Sequence, residues 1–387
     1  MQDEGADTKT PYVYNNIGQE EDIRLLILQP GKAGDLIRCA LVPATFGSHP
    51  DYEALSYAWG NNDKTHMIYL LGSLPIGSNL HSALQHLRLE DKPRTLWVDA
   101  VCINQQSVTE RNQQVPLMGK VYSAAKKVLV WLGKEIATDQ EAFRVIGEFE
   151  NGKERLQDRD KTMEDEEKLK KRILDDPGWR ALAPFFQRPW FKRVWVIQEV
   201  ALAAVAEVHC GSHSCSWGAI ARLNAYFNDN GAAALLGGNQ FHWVGNIDIV
   251  RRAQIGDLRE DEIPLLRSLD GLLWQTKIFD ATVSHDKIYG LLGLASQADM
   301  ETVKVDYNMP CSELFKQVAV HRILRGQLFE TLSEAGSSPI RDPNMPSWAP
   351  DWSTYFNFPI SFVSADPRGL SLLVTLLKII YRCSGKS

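Results

Sequence analysis

Residues 188–203 constrain the fold more than any other stretch. They read Arg188-Pro-Trp-Phe-Lys-Arg-Val-Trp-Val-Ile-Gln-Glu199-Val-Ala-Leu-Ala203. Pro189 suits the first turn of a helix, where its missing N–H costs nothing, and no Gly or Pro follows for a dozen residues. One continuous helix is therefore predicted over Trp190 to Leu202. At helical spacing Phe191, Trp195, Glu199 and Leu202 share a face, and Trp190, Val194, Ile197 and Ala201 line the next one. A helix that is apolar nearly all round is buried, so the chain must build a layer on each side of it. Glu199 is the anomaly. No cation stands three or four residues away, so its carboxylate must be paired from elsewhere in the fold or raised in pKa. Buried carboxylates of this kind concentrate in active sites, and the competing reading is a structural ion pair with a distant Arg or Lys.

The segments around it alternate short apolar strands with amphipathic helices. Ile23 to Leu28 and Leu36 to Val42 flank the turn signal Pro30-Gly-Lys-Ala-Gly34 and read as an N-terminal hairpin. Tyr52 to Gly60, Thr95 to Asp99 and Lys127 to Gly133 read as buried strands, and Met67 to Leu71 with Leu74 to Ile76 as a second hairpin. Asn79 is placed to cap a helix presenting Leu80, Ala83, Leu84 and Leu87. Ala100 to Gln106 reads as a loop, and Ser107 or Thr109 caps a helix carrying Val115, Met118, Tyr122 and Ala125, with a kink at Pro116. This is the pattern of an α/β domain with a mostly parallel sheet and flanking helices. The stretch 150–176 has 18 charged residues in 27 and reads as a solvated insertion. Ala206 to Cys210 reads as a strand and Ala232 to Gly238 as a small-residue loop. Helices are expected at Leu265 to Leu273, from His285, and over Cys311 to Leu324. The organisation expected is a disordered 1–20, a domain over 21–205 with its core at 50–205, and a mainly helical 206–387.

Bulk composition excludes several classes. With 42 Lys+Arg against 48 Asp+Glu, the net charge of −6 gives no footprint for nucleic acid or anionic membrane. The six Cys are scattered, and the acidic start lacks a signal region, which points to a reducing, cytoplasmic setting. Leu370 to Tyr381 is too short to span a bilayer and carries Lys378; it reads as a terminal helix or a truncated end. The eleven Trp read as core anchors first and ligand platforms second. No Gly-x-x-x-x-Gly-Lys-Ser/Thr, Rossmann glycine fingerprint, His-Glu-x-x-His or Gly-x-Ser-x-Gly is present, so ATPase, dehydrogenase, zinc-protease and serine-hydrolase readings lose their support. His209, Cys210, His213 and Cys215 suit zinc by type, but Gly211 with Ser212 and Ser214 reads better as a hairpin tip, and no metal is assigned. Ser56, Tyr57 and Trp59 close the first buried strand, and Asp99, Asn104 and Gln105 follow the second, with Glu110 and Arg111 beyond. Ligands of open α/β sheets bind at the carboxyl ends of strands, so this set is expected to share a cleft with Glu199.

Four blocks in order, Tyr52-Glu-Ala-Leu-Ser-Tyr-Ala-Trp-Gly60, Leu96-Trp-Val-Asp-Ala-Val-Cys-Ile-Asn-Gln105, Glu110-Arg111 through Met118 and Tyr122, and Arg188 to Glu199, resemble the heterokaryon incompatibility (HET) domain of filamentous fungi. Asp286-Lys-Ile-Tyr-Gly-Leu-Leu-Gly293 and Pro346-Ser-Trp-Ala-Pro-Asp-Trp-Ser353 look like segments that follow this domain, with Ser284-His285 where relatives carry Pro-Arg. The resemblance implies non-self recognition and programmed cell death, acting through self-association or a partner incompatibility protein of the NLR type. HET domains are also similar to TIR domains, whose flavodoxin-like fold carries a catalytic Glu in a Trp-Cys-x-x-Glu motif; here Trp195-Val-Ile-Gln-Glu199 occupies a comparable place. By that analogy NAD is the substrate rather than a cofactor, and Glu199 is the carboxylate that supports cleavage of the nicotinamide–ribose bond. Trp59 or Trp195 would stack on the base, and Arg111 or Arg193 would meet the pyrophosphate. The alternative is a non-enzymatic signalling module in which Glu199 pairs with an Arg.

Overall fold

A computed structural model of the chain describes residues 10–18, 21–48, 50–60, 63–150, 167, 171, 173–229, 240–335 and 342–353. Most of the charged stretch 150–176, and all of Ala232 to Gly238 and Leu370 to Tyr381, lie outside the described residues. The chain divides into two compact units, Met1–Leu314 and Phe315–Ser387.

Nine strands are described: β1 (Asp22–Leu28), β2 (Cys39–Thr45), β3 (Glu53–Tyr57), β4 (His66–Tyr69), β5 (Ser73–Ile76), β6 (Arg94–Trp97), β7 (Lys127–Trp131), β8 (Ala206–Cys210) and β9 (His213–Ser216). Seven form one sheet in the order β2-β1-β6-β3-β7-β8-β9. Its centre, β6-β3-β7-β8, is parallel, and β2, β1 and β9 join antiparallel at the two sides. In chain order the four parallel strands lie second, first, third, fourth, the arrangement of flavodoxin-like doubly wound sheets. The α/β fold read from the sequence is thus the observed one. The N-terminal hairpin does not stand apart from it: β1 pairs with β6 and extends the sheet. Burial explains the strand sequences. Four of the five residues of β3 and of β7 are buried, as expected for strands covered on both faces, whereas β8 alternates beside the edge strand β9. β2 begins three residues later than the apolar run suggested and includes Pro43, which an edge strand tolerates.

The crossovers are helical. α1 (Ser78–Leu87) links β3 to β6 by way of the small β4–β5 sheet. α2 (Asp99–Cys102), α3 (Val108–Gln114) and α4 (Met118–Ala124) link β6 to β7. α5 (Asp139–Glu148), α6 (Pro177–Phe186) and α7 (Trp195–Ala201) lie between β7 and β8. Several local expectations are corrected. Asn79 does not cap α1; its side chain donates to the Ala58 carbonyl (2.7 Å) and accepts from the Trp131 indole (3.0 Å), tying β3 to β7. The loop after Asp99 begins with the short helix α2. Ser107 does cap α3, accepting from the Glu110 N–H, and Pro116 sits in a 3-10 turn, Val115–Leu117, between α3 and α4. The helix expected at Leu265 to Leu273 is split into Ile263–Leu266 and Leu269–Thr276. Within the stretch read as disordered, residues 10–15 are tied down: Tyr12 and Thr10 pair with Ser73, and Tyr14 donates to the Val101 carbonyl. Among the described residues, no helix is long and apolar enough to cross a membrane.

Beyond β9 the first unit continues as helices, including Trp217–Asp229, Gln240–Ile255, Leu269–Thr276 and α-helix Asp286–Leu292. The second unit contains most of Cys311–Leu324, the helix Leu328–Ala335 and the Pro346 to Ser353 loop. There Arg322 grips Glu334 through two hydrogen bonds (2.7 and 3.0 Å), and Trp352 donates to the same carboxylate (3.1 Å) while meeting Phe315 edge-to-face.

In the first unit the helix Asp286–Leu292 is drawn against the domain by glycines. A Cβ on Gly293 would come 2.6 Å from the Gln198 Oε1 and 3.0 Å from the Gly119 Cα, so two backbones meet where a methyl group cannot fit. Gly293→Ala is expected to destabilise the folded chain by about 1–3 kcal/mol through overpacking. Gly147→Ala, in the last turn of α5 with nothing near its Cβ, should gain about 0.5 kcal/mol. Urea unfolding of both variants checks the pair.

Candidate active site at the carboxyl ends of the parallel strands

The predicted helix over 190–202 is interrupted. Pro189–Lys192 forms a 3-10 turn, Arg193 is extended, and α7 starts at Trp195. The cause is tertiary: Asp280 pairs its backbone across this point, donating to the Lys192 carbonyl (2.6 Å) and accepting from the Val194 N–H (2.9 Å). Backbone groups that find partners outside the helix have no need of helical ones. Phe191 is thereby turned off the face that carries Trp195 and Glu199. The far end of α7 is closed by Arg251, which donates to the Val200 (2.5 Å) and Ala203 (2.7 Å) carbonyls that a helix end leaves free.

The interruption lets Arg193 reach back to the sheet, where its guanidinium donates to the Tyr57 carbonyl at the end of β3. Around it stand three carboxyl groups. Glu199 is 2% exposed and accepts a hydrogen bond from the Ser56 hydroxyl, which itself accepts from the buried Trp190 indole at 2.8 Å. Asp99, half-buried just past β6, accepts from the Trp59 indole (2.8 Å) and the Ala100 N–H (2.7 Å). Asp286, from the helix beyond the sheet, accepts from the Tyr307 hydroxyl at 2.8 Å.

Burial raises all three carboxyls. It lifts Glu199 to about 7, against the pull of the Arg193 charge and the Ser56 hydrogen bond, with Asp99 adding to the rise. Desolvation likewise raises Asp99, opposed by Arg193 and by the Trp59 and Ala100 hydrogen bonds. Asp286 is raised by burial and held back by Trp195, Tyr307 and Arg193. The hydroxyl of Tyr122, wholly buried on α4, lies beside Glu199 and, like Ser56, opposes the rise of its carboxyl. Among the described residues Arg193 makes no ion pair within 4 Å, so it acts on each carboxylate at a distance rather than neutralising one. Glu199 is therefore not the buried partner of a tight salt bridge.

Seven of the nine residues expected from the sequence meet here: Glu199, Ser56, Tyr57, Trp59, Asp99, Arg193 and Trp195. The other two stand differently. Asn104 shapes its loop: its N–H donates to Glu110 (2.7 Å) and its side chain accepts from the Gln106 N–H (3.2 Å). Glu110 in turn is clamped by Arg24 in a buried bidentate pair (2.6 and 3.1 Å), which gives this acid of the motif an architectural role. Arg111 lies with its guanidinium 4.9 Å over the Tyr307 ring, one side chain removed from Asp286. Sequence reasoning missed Tyr122 and Trp190, whose spacing marked them only as apolar helix positions, and Asp286 and Tyr307, which nothing in the local sequence connects to Glu199. His209, Cys210, His213 and Cys215 fall on the β8–β9 hairpin, turned by Gly211 at φ +53°. A cavity of about 440 Å³ lies elsewhere, between α5 and that hairpin, lined by Phe143, Glu150, Glu207 and His213.

Residues 52–199 match the family model described as heterokaryon incompatibility protein (HET). That stretch is similar to HET domains. The chain is also similar to heterokaryon incompatibility protein 6, OR allele, of Neurospora crassa, at 26% identity over 411 residues, covering 86% of this chain and 58% of that protein. The chain thus spans less than two thirds of the length of this relative. No solved structure matches it. The family match ends at Glu199, so Asp286 and Tyr307 stand outside the matched part of the HET domain while touching its site.

An ordinary Glu carboxyl titrates near 4.5 and Glu199 near 7. Between those values the folded chain holds a proton that the unfolded chain has released, so stability falls as pH rises through that window and the loss is complete above it. Glu199→Gln keeps a neutral group and escapes the loss. Relative to wild type it is expected to gain on the order of 2–3 kcal/mol between about pH 4.5 and about pH 8. Urea midpoints of both proteins at the two pH values measure this. A gap that does not widen with pH would mean that Glu199 titrates as an ordinary carboxyl.

Proposed function

We propose that this chain acts in heterokaryon incompatibility as a cell-death effector in non-self recognition, and that its HET domain hydrolyses NAD at the nicotinamide–ribose bond. The observation that carries the reading is the arrangement of Glu199 and Asp99 around Arg193 at the carboxyl ends of parallel strands, where doubly wound sheets bind ligands. The names of the matched family and of the Neurospora relative support the biological role; the analogy to TIR domains supports the chemistry.

The chemistry suits the side chains. When the ribose C1′–N bond breaks, its electron pair returns to the pyridinium nitrogen, so nicotinamide leaves neutral and needs no general acid. The ribose is left as an oxocarbenium-like cation, which an ionised Glu199 stabilises in an apolar surrounding where charge interactions are strong. Water then adds to C1′ and its proton passes to the carboxylate or to solvent. Trp59, at 39% exposed, stands at the mouth as a stacking surface for the base, and Arg193 offers its charge to the pyrophosphate. Self-association or engagement by a partner incompatibility protein is the expected trigger.

One observation favours the second reading, a signalling module without catalysis: Glu199 is 2% exposed, so acting on NAD requires the surrounding segments to part. The two readings separate experimentally. Concentrated, deliberately clustered protein is expected to release nicotinamide from NAD, and Glu199→Gln to lower the rate by at least about 100-fold while remaining folded. Asp99→Asn, which weakens the mouth of the site, should cost less. A folded, clustered sample that leaves NAD intact would overturn the enzymatic reading and leave Glu199 a structural residue.

A further inference from the structure

Four independent contacts bring the segment from Asp280 to Met309 onto the Glu199 site, although it follows the HET match by some eighty residues of chain. Asp280 pairs with the backbone on both sides of Arg193 and so creates the break that frees that side chain. Gly290 lets the helix Asp286–Leu292 close on α7: a Cβ there would lie 3.3 Å from the Val194 side chain and 3.5 Å from the Trp195 ring. Gly293, three residues further on the same face and just past the helix end, packs against Gly119 and Gln198. The loop that carries Tyr307 is pinned by Asn112, which donates to Asp306 (3.1 Å) and accepts from the Tyr307 N–H (3.0 Å). Tyr289 accepts from the Asp306 N–H (3.0 Å), and His285 hydrogen-bonds the Met309 carbonyl (2.7 Å). His285 uses its ring to hold this loop.

We propose that this downstream segment forms one wall of the HET site and that Asp286 is a positioning residue, which sets where Arg193 and Trp195 stand relative to Glu199. The proposal rests on the reading of the site given above, and its test separates the two. The logic is positional. Asp286 attracts Arg193 and holds Trp195, so neutralising it lets the guanidinium settle closer to Asp99 and Glu199. The groups that face Glu199 are Arg193, Asp99, Ser56 and Tyr122; those that face Asp286 are Arg193, His285, Trp195 and Tyr307.

The consequence is that Glu199 should respond to a change at Asp286, a residue it does not touch. In the full chain, Asp286→Asn removes one competitor for Arg193, and the Glu199 carboxyl is expected to titrate at least about half a unit lower. Carbon-13 NMR of glutamate-labelled protein reads this directly, with Glu199→Gln assigning the signal. Tyr307→Phe keeps every charge and deletes only the hydrogen bond to Asp286, so it should move Glu199 in the same direction by less. If Asp286→Asn fails to fold, this milder variant carries the test. An unmoved Glu199 titration in a folded variant overturns the proposal, whether or not the protein cleaves NAD. If wild-type protein does cleave NAD, Asp286→Asn should also lower kcat/KM about ten-fold or more, chiefly through KM, because Arg193 and Trp195 bind rather than react. If wild-type protein leaves NAD intact while Glu199 still shifts, the NAD reading fails and the coupling stands.

Discussion

The guanidinium of Arg193 is the interaction on which the rest of the site depends. It is bonded to the Tyr57 carbonyl at the end of the first parallel strand, and its charge reaches Glu199, Asp99 and Asp286. Burial raises all three carboxyls and the Arg193 charge opposes the rise at each, so a small change in the position of Arg193 alters how readily each one ionises. An arginine suits this task because it stays charged under all ordinary conditions and can bond a carbonyl while still facing several acids.

The fold delivers that guanidinium by an economical route. The same apolar sequence that would run as one helix is divided at Arg193 by backbone pairing with Asp280, so a residue that would have pointed along a helix face turns to the sheet. On one side of the division Trp190 anchors Ser56, and on the other α7 presents Glu199 to the same hydroxyl. Ser56 thus joins strand, turn and helix with one oxygen. The buried Arg24–Glu110 pair performs a different service, fixing the loop after β6 so that Asp99 stands at the strand end. Arg188, bonded to Asp139 at 2.5 Å and to the Leu132 and Lys134 carbonyls, fastens the start of the turn to the first residue of α5 and to the loop after β7.

These relations join parts of the chain that motif reading treats separately. The HET match covers the sheet, α7 and Glu199, yet the contacts that divide the helix and flank Trp195 come from the segment between Asp280 and Met309. The Asp-Lys-Ile-Tyr-Gly-Leu-Leu-Gly sequence makes physical sense in that place. Asp286 faces the site, Lys287 is buried and donates to the Phe279 carbonyl, and Gly290 and Gly293 permit two close backbone approaches.

The sequence by itself determined the parallel sheet, because β3 and β7 had to be apolar runs to lie buried on both faces, and the intervening helices showed their own period. It also marked Glu199, since a carboxylate among Trp, Val and Ile with no cation at helical spacing stands out without any structure. Ser56, Tyr57, Trp59 and Asp99 were legible for a related reason: strand ends in such sheets converge, and these polar residues sit at the ends. Only the tertiary structure decided the rest. The break at Arg193 depends on a partner backbone almost ninety residues away, which no local propensity encodes. Asn79, suited by type to cap a helix, was claimed instead by Trp131 and the Ala58 carbonyl. Asn104 and Arg111 looked like ligands because of their types, but their partners came from the Glu110 loop and Tyr307. Asp286 was marked only as the start of a segment that follows the domain, and Tyr307 not at all, because a helix-starting acid and a loop tyrosine are common and their meaning lies in what the fold brings beside them. Periodicity and polarity report which surface a residue faces; they do not report what stands on the other side.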